Sequence, residues 1–296
     1  MVDIRQLQQF IMVATELNFR RAAQRLHMSQ PPLSAAIRRL EQSMGVKLFE
    51  RTRQYVRLTA AGEVFLTESR RTLAQARFAM EAAQGIGSGL SGVLRFSFVP
   101  SAALDVLPQL LRRFQQAHPG VRLVLTGAST QQEVARLRSE IIDIALIVPP
   151  LADANGLDIT VLRREKMVLA LPAGHALAQE QKIKLPMLAE ESFISFSYSE
   201  GSGFAGAVLA ACHDAGFSPR ITQEASQMQT ILTLVASDLG IALVPAALKA
   251  IHMHNVTYVD IDAPKRLLGY ELALAYVKGR NNALVDAFVS AAKATA

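Results

Sequence analysis

Apolar residues recur every three or four positions through the first 45 residues, which is the spacing of amphipathic helices. The pattern predicts, in order, a helix capped by Asp3, a helix over about 19–26, a helix from 30 to Gly45, a hairpin over 48–58 and a long helix over about 60–86. A tight turn at His27 and Met28 joins the second and third helices. Two short helices around such a turn, followed by a hairpin, predict a winged helix-turn-helix.

From residue 93 onward the pattern changes to short apolar runs that alternate with amphipathic segments, which is typical of α/β architecture. The predicted strands cover 93–99, 121–126, 142–148, 167–171, 193–196 and 240–245, with two more near the C-terminus. The predicted helices cover 103–116, 131–139, 204–214, 227–236 and 281–294. Some 200 residues of this pattern suffice for two hydrophobic cores. The chain is therefore predicted to be an α/β multidomain protein.

The excess of basic residues is concentrated in the N-terminal part of the chain. Residues 1–86 contain 13 Lys and Arg against 7 Asp and Glu, a net charge of +6, whereas residues 87–296 contain 18 of each kind. The helix-turn-helix segment and the long helix therefore carry all of the net positive charge. A polyanion is expected to bind there, and double-stranded DNA is the polyanion that a helix-turn-helix fits.

The third predicted helix carries polar side chains on the face opposite its apolar stripe. Gln30, Ser34 and Arg38 share that face, where Gln30 can pair with adenine and Arg38 can reach a phosphate. Several arginines follow on the hairpin, and phosphate contact is the favoured interpretation of them. An ordinary solvated surface is the alternative. The candidate DNA contacts are Arg21, Ser29, Gln30, Pro31, Pro32, Ser34, Arg38, Arg51 and Arg53.

The long helix has a narrow apolar seam. Leu66, Leu73 and Met80 recur every seven residues. Each is followed three positions later by a small residue, which after Leu73 is Ala76. Because the helix belongs to neither flanking core, these four residues are candidate contacts between two subunits. A dimer would present two recognition helices to a roughly palindromic site. The glycine-rich segment 85–92 is interpreted as a hinge.

The chain resembles the LysR-type transcriptional regulators over essentially its whole length. The residues that carry the resemblance are Ala22-Ala23-x-x-Leu26-x-x-Ser29-Gln30-Pro31-x-Leu33-Ser34-x-x-Ile37-x-x-Leu40-Glu41-x-x-x-Gly45-x-x-Leu48-Phe49-x-Arg51 and Leu58-Thr59-x-Ala61-Gly62, with Gly240-Ile-Ala-Leu-Val-Pro245 near the C-terminus. One position departs from the pattern, since Ala35 stands where the family often has arginine. This departure leaves Gln30, Pro31, Ser34 and Arg38 as the candidates for contacts in the groove.

The resemblance implies a winged helix-turn-helix, a linker helix and an effector domain like the type II periplasmic solute-binding proteins, with two lobes around a cleft joined by two crossover strands. The implied domains are 1–58, 59–91 and 92–296, with lobe I at 92–163 and 268–296 and lobe II at 164–267. It also implies a homotetramer, built as a dimer of dimers, that regulates transcription when a small molecule binds. RNA polymerase is a further candidate partner.

The cleft is the expected effector site, because ligands bind where strand ends meet helix N-termini. Hydroxyls beside free N–H groups favour a carboxylate, although the same hydroxyls are also placed to cap their helices. Residues 199–203 form a loop that could close over the opening. The candidate contacts are Ser101, Ser129, Thr130, Val148, Ser197, Phe204, Met228 and Val244. Because few of the candidate residues are charged, the predicted effector is a small, mainly apolar carboxylic acid.

Other functions fit the sequence less well. A solute-binding domain with a transport role would need export, yet the N-terminus lacks a signal-peptide pattern and no apolar run approaches a membrane span of about 20 residues. A cytoplasmic protein is therefore expected. An enzyme fused to a DNA-binding module would need a polar catalytic constellation, which we do not find. His252 and His254 lack a third ligand, so neither a metal nor a cofactor is expected, and Cys212 has no second cysteine to pair with.

Overall fold

The computed structural model describes residues 2–52, 55–84, 90–263, 268–280 and 282–294, and of residues 77, 78 and 81–84 the backbone only. The chain forms two compact units, residues 1–86 together with 139–141 and the remaining residues. Most of the predicted hinge, residues 85–89, lies outside the described residues.

The N-terminal unit contains the predicted helices and the predicted hairpin. Their bounds are α1 (Ile4–Glu16), α2 (Phe19–Arg25), α3 (Gln30–Met44), β1 (Phe49–Arg51), β2 (Val56–Leu58) and α4 (Ala60–Gln84). Local signals set several helix ends. Asp3 and Gln6 cap α1 through reciprocal hydrogen bonds, Asn18 accepts two N–H groups at the start of α2, and Gly45 ends α3 with a φ of +70°.

The core of the N-terminal unit is built from side chains of α1, α2, α3, β1 and α4, with Leu48 just before the hairpin. Its buried members include Phe10, Val13, Phe19, Leu33, Ile37, Leu40, Leu48, Phe49 and Leu66. Leu66 is only 9% exposed, so it is not available for the predicted contact with a second subunit. Gly62 brings α4 close to the start of the hairpin, because a Cβ at this position would lie 2.2 Å from the carbonyl oxygen of Leu48.

The C-terminal unit alternates strands with helices, as predicted. Its elements are β3 (Gly92–Phe98), α5 (Val106–Ala117), β4 (Val121–Gly127), α6 (Thr130–Arg138), β5 (Ile144–Ile147), β6 (Leu157–Pro172), β7 (Lys182–Ile183), β8 (Ser192–Phe196), α7 (Ser202–Asp214), β9 (Arg220–Ala225), α8 (Met228–Ala236), β10 (Ala242–Pro245), β11 (Val256–Ile261), β12 (Gly269–Val277) and α9 (Ala283–Lys293). Four short 3-10 turns connect some of them in the described part of the chain.

One long strand runs through both halves of this unit. The main sheet has the order β4-β3-β5-β12-β6-β11-β7, with β10 also on β6, while β8 and β9 form a separate pair. The first part of β6 pairs antiparallel with β12, and its second part pairs with β10 and β11. The strands β6 and β12 are therefore the two crossover connections. We use "lobe I" for residues 92–163 and 268–296 and "lobe II" for residues 164–267, as the sequence predicted.

Each lobe has apolar side chains packed on its sheet. In lobe I the rings of Phe96 and Phe114 both contact Phe288 of α9, with centroids 4.8 and 4.9 Å apart. In lobe II, α8 packs Ile231 and Leu232 against β6, β8 and β10. These cores hold the strand ends and helix starts at the cleft in fixed positions.

Two predicted elements differ from the structure. Helix α5 begins at Val106 instead of residue 103, because a start at 103 would put Pro108 inside the helix, whereas the observed start puts it in the first turn. Strand β6 is far longer than the predicted 167–171. Its first part is polar and so lacks the apolar pattern of a strand, but its pairing with β12 makes it one. None of the helices in the described residues is long and apolar enough to span a membrane.

Candidate DNA-contact helix and effector cleft

Two prolines change the chemistry at the N-terminus of α3. Ser29 occupies the N-cap position, but its side chain makes no capping hydrogen bond. The physical reason is that Pro31 and Pro32 stand where the N–H donors of the first turn would be. The exposed Ser29 hydroxyl is therefore available for an outside partner.

The predicted base-reading face of α3 is accessible. Gln30 and Arg38 are exposed, and Ser34 is partly exposed, whereas Leu33 and Ile37 face the core. Among the described residues, no carboxylate forms an ion pair with Arg38. The face therefore offers an amide, a hydroxyl and an unpaired guanidinium along one side of the helix.

Two of the predicted arginine contacts are held by carboxylates. Arg21 is 3.4 Å from Glu16 and donates to its backbone oxygen at 2.6 Å, but its side chain remains 64% exposed and accessible to a phosphate. Arg51 donates to the buried Glu41 at 2.8 Å and lies over the ring of Phe19, 4.7 Å from its centroid. Its side chain is 27% exposed. The structure thus gives Arg51 a structural role, and its predicted phosphate contact stays a prediction.

The remaining predictions for the N-terminal unit concern the wing and the long helix. Arg53 lies outside the described residues. On α4, Leu73 and Ala76 are partly exposed and Met80 is 61% exposed. Unlike Leu66, these three side chains remain accessible for pairing with another helix.

A cavity of about 190 Å³ lies between lobes I and II. Six of the eight predicted effector contacts line it. They are Ser101, Ser129, Thr130, Val148, Phe204 and Met228. Further lining comes from Val99, Pro100, Gly127, Ala128, Gln132, Phe196, Glu200, Gly201, Ser226 and Gln227.

Three hydroxyls converge on the lobe I side of the cavity. The Ser129 hydroxyl donates to the Glu200 carboxylate at 2.6 Å and accepts the Gln132 N–H at 3.3 Å. The Thr130 hydroxyl accepts the N–H of Val148 at 3.2 Å, which leaves its own proton for another acceptor. Ser101, in the 3-10 turn that follows β3, is 9% exposed and also lines the cavity. Ser129 and Thr130 lie at the N-terminus of α6, which favours an anion.

The lobe II side of the cavity is mainly apolar. The rings of Phe196 and Phe204 are edge to face, with centroids 6.3 Å apart, and Met228 begins α8 beside them. Gln227 precedes α8, and its side chain makes no capping hydrogen bond there. The cavity therefore combines a polar, donor-rich end with an apolar wall.

Two predicted effector contacts lie elsewhere. Ser197 is outside the cavity lining, and its hydroxyl is 2.9 Å from that of Ser199. Val244 is fully buried in the core of lobe II, because β10 pairs with β6 and is covered by α8. Glu200 lies in the loop 199–203 that the sequence singled out, but its hydrogen bond with Ser129, 71 residues away, was not predicted. No local spacing signals a contact over that distance.

The crossover strands connect to the cavity wall through Tyr270 on β12. Its ring packs edge to face against Phe204, with centroids 5.0 Å apart. Tyr270 is 4% exposed, and burial, together with the nearby Glu165 carboxylate, raises the pKa of its hydroxyl. Arg163 on β6 pairs with both Glu165 and Asp105. These contacts place an ion-pair cluster of the crossover region next to the effector cavity.

The one carboxyl group of α6 is buried. Glu133 is fully buried, and neither of its oxygens has a hydrogen-bond partner among the described residues. Burial raises the pKa of Glu133 well above its ordinary value, and the nearby Ser97 hydroxyl and Arg136 offset only part of this effect. Glu133 is therefore neutral over a pH range in which an exposed glutamate is charged.

Within the described residues, no group of three or more histidine, cysteine, aspartate or glutamate side chains is placed to hold a metal ion. The thiol of Cys212 is buried, and burial raises its pKa to about 11. Such a thiol is protonated and unreactive at neutral pH.

Comparison with known proteins matches both units to one family. The family described as "Bacterial regulatory helix-turn-helix protein, lysR family" matches residues 4–63, and "LysR substrate binding domain" matches residues 87–296. The HTH-type transcriptional regulator AlsR of Bacillus subtilis (strain 168) is 36% identical over 288 residues, which cover 97% of this chain and 94% of AlsR.

Solved structures give the same assignment. Full-length CbnR complexed with its target DNA has a TM-score of 0.82 and 27% identity, and the match covers 100% of both chains. The BenM effector binding domain with its effector benzoate has a TM-score of 0.60 and 26% identity, over 69% of this chain and 91% of that one. The relatives are transcription regulators and not enzymes. This chain belongs to the LysR family of DNA-binding, effector-responsive transcription regulators.

Proposed function

We propose that this regulator reads DNA with the exposed face of α3 and changes its DNA contacts when a small carboxylic acid binds between lobes I and II. The observation that supports the acid most directly is the carboxylate already bound at the start of α6. The Glu200 carboxylate accepts a hydrogen bond from the Ser129 hydroxyl, with 2.6 Å between the two oxygens. Donors that hold one carboxylate suit another, and the benzoate bound by the BenM domain belongs to this chemical class.

The DNA half of the proposal rests on the accessible groups of α3. The Gln30 amide can donate to and accept from adenine, and the unpaired Arg38 can meet phosphate. The Ser29 hydroxyl can donate to a phosphate at the helix start, since no cap occupies it. Pro31 and Pro32 offer apolar contact to a thymine methyl group. The Ser34 hydroxyl can donate a hydrogen bond to a base on either DNA strand or accept one from it. Arg21 and Arg53 are the proposed phosphate contacts beside this helix.

The proposed assembly is a dimer of dimers in which α4 pairs two subunits. Leu73, Ala76 and Met80 are the side chains that would form the seam, while Leu66 stays in its own subunit. The domains would be the DNA-binding domain 1–58, the linker 59–91 and the effector domain 92–296. Acting on DNA in the cytoplasm, the assembly would alter how RNA polymerase uses the promoter.

The proposed coupling is a change in lobe arrangement. An acid in the cleft contacts α6 of lobe I and Phe204 and Met228 of lobe II, so it stabilises one arrangement of the lobes over others. The crossover strands β6 and β12 would carry this change to the dimer spacing and to the bend of the DNA.

Thermal unfolding of the full-length protein tests the effector class. We expect aromatic and short aliphatic carboxylic acids to raise the melting temperature, by an amount that grows with the logarithm of their concentration, and Ser129→Ala to abolish the rise. Ser290→Ala is the matched control, because Ser290 is exposed on α9 and lies outside the cavity lining. Stabilisation by cationic or sugar ligands only would overturn the proposal.

A further inference from the structure

The Glu200 side chain of lobe II is bound to the start of α6 in lobe I. Its Oε2 accepts the Ser129 hydroxyl at 2.6 Å and lies 3.4 Å from the Gln132 amide nitrogen. Its backbone carbonyl accepts the Gln131 N–H at 3.3 Å. No Lys or Arg forms an ion pair with Glu200 among the described residues. The carboxylate is therefore held only by the neutral donors that a carboxylate effector would use.

The loop that carries Glu200 is built to press against lobe I. The carbonyl of Ser197 accepts the N–H groups of Glu200 and Gly201, which closes a tight turn. A Cβ at Gly201 would lie 2.8 Å from the Phe196 ring, and one at Gly203 would lie 2.3 Å from the Val148 carbonyl oxygen. The approach at Gly201 is within lobe II, whereas the approach at Gly203 brings lobe II against the backbone of lobe I and leaves no room for a side chain, so the sequence favours a closed position of the loop.

The same loop separates the effector cavity from a second groove. That groove, of about 440 Å³, is lined by Tyr198, Ser199 and Ser202 on the loop and by Val134 and Leu151 of lobe I. Thr130 and Gly201 line both spaces. Movement of the loop would therefore join the cavity to the groove and give a ligand a way in.

We propose that Glu200 is an internal competitor for the effector: a carboxylate latch that occupies Ser129 and the start of α6 until an acid displaces it. This inference rests on the proposed function, in which the effector is a carboxylic acid in the same cavity. It explains how occupancy of the cavity is converted into movement of the loop.

The competition follows from the chemistry of the donors. The Ser129 hydroxyl has one proton and can donate it to one acceptor. A second carboxylate at the same donors would also repel Glu200. An acid therefore binds only the fraction of molecules with Glu200 released, which lowers its apparent affinity by that fraction.

The latch also gives a rule for selectivity. A neutral ligand of the same shape needs no displacement of Glu200, so it can enter the cavity without moving the loop. An anion must displace the latch in order to bind. The charge of the ligand, and not its apolar part, therefore breaks the hydrogen bond between Glu200 of lobe II and Ser129 of lobe I.

The first test measures the latch without any ligand. Hydrogen exchange of the α6 N-terminal amides, Gln131 and Gln132, is followed in the full-length wild type, Glu200→Ala and Glu200→Gln. We expect exchange to be about 10-fold faster in Glu200→Ala and intermediate in Glu200→Gln, which keeps an acceptor for Ser129. Glu190→Gln is the matched control on an exposed glutamate of lobe II. Equal exchange in the wild type and Glu200→Ala would overturn the latch.

The second test measures competition with benzoate and its neutral analogue benzamide. We expect Glu200→Ala to bind benzoate about 10-fold more tightly than the wild type, corresponding to a released fraction of about one in ten, with benzamide unchanged. Weaker or equal benzoate binding in Glu200→Ala would overturn the competition. Benzoate binding to none of these proteins would overturn it together with the proposed effector class, while the exchange rates still decide whether the latch exists. Benzoate binding that Ser129→Ala leaves unchanged would overturn the proposed site and the competition together, because the acid and Glu200 are proposed to share Ser129.

Discussion

Replacing Glu41 should detach the wing from the recognition helix. This carboxylate at the end of α3 is 3% exposed and accepts hydrogen bonds from the backbone N–H groups of Leu48 and Phe49, at 3.0 and 3.1 Å. It also accepts the Arg51 guanidinium at 2.8 Å. Glu41→Ala removes the acceptors of all three hydrogen bonds at once, so the polar link between α3 and β1 depends on a single side chain.

The loss of stability follows from the buried donors that Glu41→Ala leaves without an acceptor. Each buried N–H group that loses its acceptor costs about 1–3 kcal/mol. The contribution of Arg51 is smaller than for a fully buried partner, because its side chain is 27% exposed and water can solvate it. We expect Glu41→Ala to lower the free energy of unfolding of the N-terminal unit by about 3–5 kcal/mol. Glu41→Gln keeps one carbonyl acceptor and should cost about 1–2 kcal/mol.

Hydrogen exchange of α3 peptides along a urea series is a suitable assay, because the chain has no tryptophan to serve as a fluorescent probe. Glu68→Ala is the control, since Glu68 forms an exposed ion pair with Arg71 on α4. It should change stability by less than about 1 kcal/mol. A loss below about 1 kcal/mol for Glu41→Ala as well would refute the argument that Glu41 joins the wing to α3.

Three further outcomes follow from other parts of the molecule. Arg38→Ala should weaken binding to all DNA sequences alike and should reduce the steepness of the plot of log K against log salt concentration by about one. Gln30→Ala should mainly relax the preference for particular bases. Competition binding on matched duplexes distinguishes the two effects. Gly62→Ala should destabilise the N-terminal unit by about 1–3 kcal/mol in urea unfolding, because its Cβ would collide with the Leu48 carbonyl; an unchanged midpoint would contradict this. Glu133→Gln should stabilise the protein increasingly as pH rises above the ordinary glutamate pKa. The raised pKa keeps the wild-type carboxyl protonated in the fold while the unfolded chain ionises, so the wild type loses stability that the glutamine variant keeps; a pH-independent difference would contradict this.

The sequence predicts most of this fold because many of the signals are local. The caps at Asp3 and Asn18, the glycine at the end of α3 and the alternation of strands and helices each depend on residues within one or two turns. Three of the six predicted residues that line the cavity, Ser101, Ser129 and Thr130, also follow from one rule, that hydroxyls after a strand meet at the cleft. The first part of β6 escaped prediction because its charged residues hide a strand that only its partner β12 stabilises.

The errors and omissions share a different cause. The structural role of Arg51 was not predicted, because its partner Glu41 belongs to another element and is brought there by the fold. Val244 was placed at the cleft from its position near a strand end, although both faces of that strand are covered. Glu200 contacts Ser129 only after the lobes are assembled. Long-range contacts of this kind carry no spacing that a sequence pattern reveals.

The central claim is that an acid in the cleft alters how α3 and its partners contact DNA. The most direct test is a footprint of the full-length protein on DNA selected from a genomic library, with and without a saturating acid that binds at Ser129. The account predicts that the bases contacted by α3 stay protected in both states while the outer protected segments and the bend between them change. Identical footprints in the two states would contradict it.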